Sequence, residues 1–152
     1  MKEIKLNHYV DTIIYSVDMI IRNLKAELKH RIDKLDLGIT GEQFVVLDTV
    51  SYYENMYPQK LSEILQKDKS NTNRMIKVLV DEGLLTKEVG KNNNRLVYIL
   101  KVTENGKKLV DENMPVIKKY LTEIFESISD EEIELLHSMS IKFENALIKN
   151  KK

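Results

Sequence analysis

From Leu61 to Leu85 the chain reads LSEILQKDKSNTNRMIKVLVDEGLL, and this stretch decides the fold. Pro58 stands just upstream, at a favoured first-turn position of a short helix whose apolar side is Leu61, Ile64 and Leu65. Gln66-Lys67-Asp68 then forms a polar turn, with Asp68 placed to cap the next helix. On that helix Met75, Ile76 and Leu79, with Thr72 at their head, recur at three- and four-residue steps and predict a buried stripe. Ser70, Asn73, Arg74, Lys77 and Asp81 fall on the opposite stripe, and Gly83 supplies a stop just past Glu82.

Downstream, Leu84–Val89 and Leu96–Val102 read as two strands joined by a polar tip from Gly90 to Asn94. Upstream, Leu6, Val10, Ile13, Ile14, Val17, Ile21, Leu24 and Leu28 mark one long amphipathic helix from about Leu6 to Leu35. Thr40 with Gln43 forms a capping box for a helix carrying Phe44, Val45, Leu47 and Val50. Thr103 caps a later helix that meets Pro115, and Ser129 with Glu132 caps a final one carrying Ile133, Leu136, Ile141, Phe143, Leu147 and Ile148. Two helices joined by a tight turn and followed at once by a hairpin are the parts of a winged helix-turn-helix. The expected fold is therefore mainly α with a small β-hairpin wing. Residues 1–37 form an N-terminal dimerisation helix, 38–110 the winged lobe and 111–152 the C-terminal dimerisation helices, in one continuous domain.

Composition narrows the function. Cysteine is absent, which removes disulfides, thiolate metal sites, cysteine nucleophiles and thiol redox sensing, and fits a cytoplasmic protein. No apolar run is long enough to span a membrane. The opening MKEIKLNHYVDTIIYS carries Asp11 and no small-residue cleavage site, so it reads as part of the fold and not as a signal peptide. His8, His30 and His137 lack metal-ligand spacing, and neither a phosphate-cradling loop nor a nucleophile motif is present; no enzyme, metal or other cofactor is expected. The net charge is zero, but residues 58–110 hold 11 Lys/Arg against 6 Asp/Glu, whereas residues 1–57 hold 7 against 9 and residues 111–152 hold 6 against 9. Phosphate binding needs a local patch of this kind and not a basic chain.

A family resemblance rests on several short motifs in order. Leu61–Leu65, Asp68–Arg74 and Leu79–Leu85 resemble the MarR family of bacterial regulators. Val102-Thr103-Glu104-Asn105-Gly106 is similar to that family's Leu-Thr-x-x-Gly strand-to-helix junction, and Ile39-Thr40-Gly41-Glu42-Gln43-Phe44 to its second-helix opening. Two positions depart from the pattern. The inter-helix turn usually carries Gly and then an apolar residue, where this chain has Gln66-Lys67; the wing usually carries Asp-x-Arg-Arg, where Asn93 takes the acidic position and Arg95 alone remains.

The resemblance implies a ligand-responsive, DNA-binding homodimer, a repressor that binds a pseudo-palindromic duplex. The candidate DNA-binding residues are Lys69, Ser70, Asn71, Asn73, Arg74 and Lys77 on the recognition helix, and Lys91, Asn92, Asn93 and Arg95 in the wing. Their chemistry suits duplex recognition, with serine able to meet several groups, asparagine adenine, arginine guanine, and lysine phosphate. The same residues also fit a plain solvated face, and a winged-helix protein-interaction scaffold without DNA binding is the competing reading. Leu6, Tyr9, Val10, Ile13, Leu136, Phe143 and Leu147 are the expected dimer interface, since an apolar arc so wide needs a second surface. The resemblance further implies a small aromatic or amphipathic ligand, for which Tyr15, Met19, Tyr52, Tyr53 and Tyr120 are candidate lining residues, although residues of these types are more often plain core.

Overall fold

The computed structural model describes residues 8, 13–92 and 95–149. Among them the chain forms α1 (Ile13–Asp33), α2 (Gly41–Tyr52), α3 (Pro58–Leu65), α4 (Lys69–Asp81), β1 (Leu85–Asn92), β2 (Arg95–Val102), α5 (Glu104–Phe125) and α6 (Asp130–Lys149). The fold is mainly helical, with one two-stranded antiparallel hairpin. No helix among the described residues is long and apolar enough to cross a membrane.

The elements begin where the side chains dictate. Thr40 and Gln43 close a reciprocal box at α2: the Thr40 amide donates to Gln43 Oε1 at 2.8 Å, and the Gln43 amide donates to Thr40 Oγ1 at 3.3 Å. Ser129 and Glu132 repeat the device at α6. The start of α2 is also held to the end of α1, because the Gly41 amide donates to Asp33 Oδ1 at 2.6 Å.

Two compact units result, Met1–Met114 and Pro115–Lys152. The division falls inside α5 at Pro115, which has no N–H to give the helical ladder. In the first unit α2 packs against α1, α3, α4 and β2, while α4 packs on α2, α3 and β1. Phe44, Leu47, Met56, Leu61, Ile76, Leu79 and Leu85 are the largest fully buried side chains of the core they enclose.

The hairpin differs from the sequence expectation at its tip. Its strands stay paired as far as Asn92↔Arg95, so Lys91 and Asn92 belong to β1, and only residues 93 and 94 separate the strands. A polar run marks solvent exposure but leaves the backbone free to continue the ladder. A further pairing, Met56↔Leu100, joins the segment after α2 to the outer side of β2 through the Leu100 amide and the Met56 carbonyl at 2.7 Å.

In the second unit the end of α5 and the start of α6 border an open groove lined by Leu121, Phe125, Ile128 and Ile133, with Lys118, Thr122, Glu126 and Asp130 at its rim. α6 has no buried residue.

Candidate nucleic-acid interface

The position of α4 is fixed at both ends by local chemistry. α3 stops at Gln66, which takes the left-handed conformation with φ of +51°, and the Lys67 amide returns to the Ser62 carbonyl at 3.0 Å. The adjoining Lys67, at a position that is usually apolar, meets Glu42 of α2 at 3.1 Å and so satisfies its ammonium beside the turn. Asp68 then accepts the Asn71 amide on Oδ1 at 2.7 Å, and its carbonyl accepts the Thr72 hydroxyl at 3.0 Å. At the far end Gly83 turns with φ of +70°, while the Leu84 amide donates to Leu79 and the Gly83 amide to Val80.

Between these stops the two stripes separate as the spacing requires. Thr72, Met75, Ile76 and Leu79 are buried; Lys69, Ser70, Asn73, Arg74, Lys77 and Asp81 are exposed. Asn71 is half-buried, and its Oδ1 accepts a hydrogen bond from Arg74 Nη2 at 3.0 Å. Because Asp68 holds the amide of that same Asn71, cap, asparagine and guanidinium form one chain of hydrogen bonds over the first turns. Lys77 Nζ lies 2.8 Å from Asp81 Oδ2, and the hydrogen bond to this carboxylate holds the ammonium above its ordinary pKa. The exposed stripe therefore offers hydroxyl, amide and cationic groups near helix amides that favour anions.

In the wing, Lys91 is exposed and stands opposite Leu96, while Asn92 is half-buried and pairs with Arg95. Asn93 lies outside the described residues, as does the side chain of Arg95. Sequence reasoning missed Lys87, Val89, Leu96 and Tyr98, which the register gathers with Lys91 on one face. The signal was period-two alternation, readable only once the tip is known to be two residues long.

Of the candidate ligand residues, Tyr15 and Met19 are half-buried on α1. Tyr52 and Tyr53 are exposed and meet edge to face at 4.8 Å, with Lys60 Nζ 5.2 Å from the Tyr53 ring centroid. Tyr120 is half-buried in the second unit, whose groove is lined by other residues. Of the expected dimer residues, Leu6, Tyr9, Val10 and the side chain of Ile13 lie outside the described residues, whereas Leu136, Phe143 and Leu147 are exposed. Among the described residues no group of three or more His, Cys, Asp or Glu is placed to hold a metal ion.

Residues 39–97 match the MarR family. The match covers the central segment of this chain. It takes in α2, α3, α4, β1 and the opening of β2, and so contains both the exposed helix stripe and the wing tip. The fold extends well beyond it. A MarR/EmrR family transcriptional regulator from Acinetobacter sp. ADP1 superposes with a TM-score of 0.78 at 19% identity, over 90% of this chain and 94% of that chain. A putative MarR family transcriptional regulator from Listeria monocytogenes, solved with a 26mer DNA, gives 0.75 at 24% identity over 91% of both chains. A MarR transcriptional regulator from Methanosarcina mazei Go1 gives 0.70 at 29% identity, over 89% of this chain and 96% of that chain.

The strand-to-helix junction beside this matched segment has a physical reason. At Gly106 a Cβ would overlap the Leu84 carbonyl oxygen and stand 2.8 Å from Val102 Cγ1. Only glycine lets the first turn of α5 lie against the residue that enters the wing.

Proposed function

We propose that this chain is a DNA-binding transcriptional regulator that acts as a homodimer on a pseudo-palindromic duplex. The observation that carries the reading is α4, whose inner stripe is wholly buried while Ser70, Asn73, Arg74 and Lys77 stand exposed on the outer one. A polar stripe of these types, beginning at a capped helix N-terminus, suits the major groove, and the 26mer DNA solved with the Listeria relative supports placing the same fold there. Lys69, Ser70, Asn73, Arg74 and Lys77 meet base edges and phosphates, with Asn71 orienting Arg74. Lys91, Asn92, Asn93 and Arg95 carry the wing onto the adjacent backbone and minor groove, where narrow A·T stretches attract cations.

The dimer follows from the apolar surface left on the long helices. Ile14, Val17, Ile20 and Ile21 on α1 and Leu135, Leu136, Met139, Phe143 and Leu147 on α6 are all exposed in the single chain, and a second copy covers them. Two-fold symmetry then sets half-sites about one helical turn, or roughly 10 base pairs, apart. Selection of binding duplexes from a random pool, followed by sedimentation of the protein alone and with the selected duplex, tests both halves of the reading. An A·T-rich inverted repeat bound by a dimer is expected; failure to enrich any duplex, or a folded monomer at micromolar concentration, would sink it.

A further inference from the structure

Strand alternation sorts the wing into two faces of different character. The pairs Leu85↔Val102, Lys87↔Leu100, Val89↔Tyr98 and Lys91↔Leu96 share one face; Thr86↔Lys101, Glu88↔Ile99 and Gly90↔Val97 share the other. The second face finds partners within itself. Lys101 Nζ lies 2.6 Å from the Glu88 carboxylate, and the Ile99 side chain folds over Gly90, where it fills the space a Cβ would need. The first face is closed only at its foot, where Leu85 and Leu100 are buried. Toward the tip it leaves Val89, Leu96 and Tyr98 exposed by 71, 73 and 58%. Its charged members are Lys87 and Lys91, both exposed, and it carries no acid.

We propose that this face, Lys87-Val89-Lys91 with Leu96 and Tyr98, lies against the sugar-phosphate wall of duplex DNA and supplies a salt-independent share of the affinity. The inference rests on the DNA-binding reading above and adds to the contacts at the wing tip a second contact along one side of the hairpin below it. Charge complementarity selects the occupant, since two cations without an acid repel a basic partner and attract a polyanion. The pattern also matches. Lys87 and Lys91 are four residues apart on one strand, roughly 13 Å, and bracket the apolar patch. A nucleic-acid strand alternates apolar deoxyribose faces with phosphates in the same manner. The lysines release counterions, whereas Val89, Leu96 and Tyr98 gain by leaving water, a contribution that salt does not screen.

The two kinds of contact separate in one experiment. Affinity for a duplex enriched by the wild-type chain is measured from about 50 to 200 mM salt. Leu96→Ser is expected to weaken binding about tenfold at every salt concentration with the slope unchanged, the size expected for losing part of one buried aliphatic side chain. Lys87→Ala is expected to flatten the slope by about one counterion. Thr86→Ala, on the opposite face, should match the wild type. Val89→Thr, close in shape and also solvent-facing, provides a second variant, and circular dichroism checks that each remains folded. Leu96→Ser and Val89→Thr both binding within about twofold of the wild type would overturn the inference while leaving DNA binding intact. Loss of DNA affinity in step with loss of self-association would also overturn it, since the face would then meet protein. A wild-type chain that enriches no duplex fails at the earlier step and refutes the DNA reading itself.

Discussion

In α4, Thr72, Met75, Ile76 and Leu79 disappear into a core closed by α2, α3 and β1, whereas in α6 not one residue is buried. Both helices are amphipathic, and both place apolar residues at helical spacing. The difference is where the cover comes from. α4 is covered by its own chain, and its polar stripe is left over for another partner. α6 leaves Phe143 and Leu147 exposed by 58 and 65%, so its apolar stripe is the part left over. An amphipathic pattern states that a helix needs a second surface but does not say whose. The stability of the first unit and the strength of association should therefore respond to different substitutions.

The largest effect should come from the closed core. Leu79→Ala is expected to cost about 2–5 kcal/mol of folding stability, because Leu79 is fully buried and its loss leaves a cavity beneath α4. Thermal melting should show the loss at every protein concentration. Phe143→Ala tests the other helix and is expected to weaken self-association by about 2–3 kcal/mol, as two copies of the ring leave a two-fold interface. Its melting temperature should depend on concentration more steeply than that of the wild type. Sedimentation showing an unchanged dimer would erase the contrast between the helices.

A finer test stays within α4. Arg74→Ala is expected to cost about 1–3 kcal/mol of specific DNA affinity for each base edge the guanidinium no longer reaches, and to blur one position in each half-site. If Asn71 acts by orienting that guanidinium, Asn71→Ala should be much less costly in the Arg74→Ala background than alone, and a double-mutant cycle on the selected duplex measures the coupling. The smallest effect is at the turn before α4. Gln66→Gly should raise stability by about 0.5–1 kcal/mol, since φ of +51° is strained for glutamine and free for glycine. A denaturant midpoint that falls instead would mean that the Gln66 side chain contributes more than its backbone costs.

Much of the fold is legible in the sequence because capping chemistry is local. Thr40 with Gln43, Asp68, and Ser129 with Glu132 each announce a helix start within four residues, and the structure places α2, α4 and α6 accordingly. The outer stripe of α4 is legible for a related reason, since the helical period alone fixes which residues share a side. What escapes depends on distant partners. The Met56↔Leu100 pairing engages a single loop residue, which has no periodicity to betray it. The clasp of Lys67 on Glu42 joins residues 25 positions apart, beyond the reach of any local pattern. The lysine-and-apolar face of the wing needs the register, and the register depends on a tip that its polar composition makes look longer than it is.

Thr103 has a consequence for how motion travels. Its hydroxyl donates to the Gly83 carbonyl at 2.7 Å and accepts the Gly106 amide at 3.1 Å, so one oxygen joins the residue that ends α4 to the first turn of α5. Its backbone amide adds a second tie, to the Leu84 carbonyl at 3.1 Å. The wing is thereby a loop drawn shut at the neck. A pull on the start of α5 reaches the end of α4 through Thr103 and bypasses the hairpin, although Gly83 and Thr103 stand 20 positions apart along the sequence. The hairpin is not needed as the linkage, because the ends of the two helices are buttoned together at its neck by one residue's hydroxyl and amide.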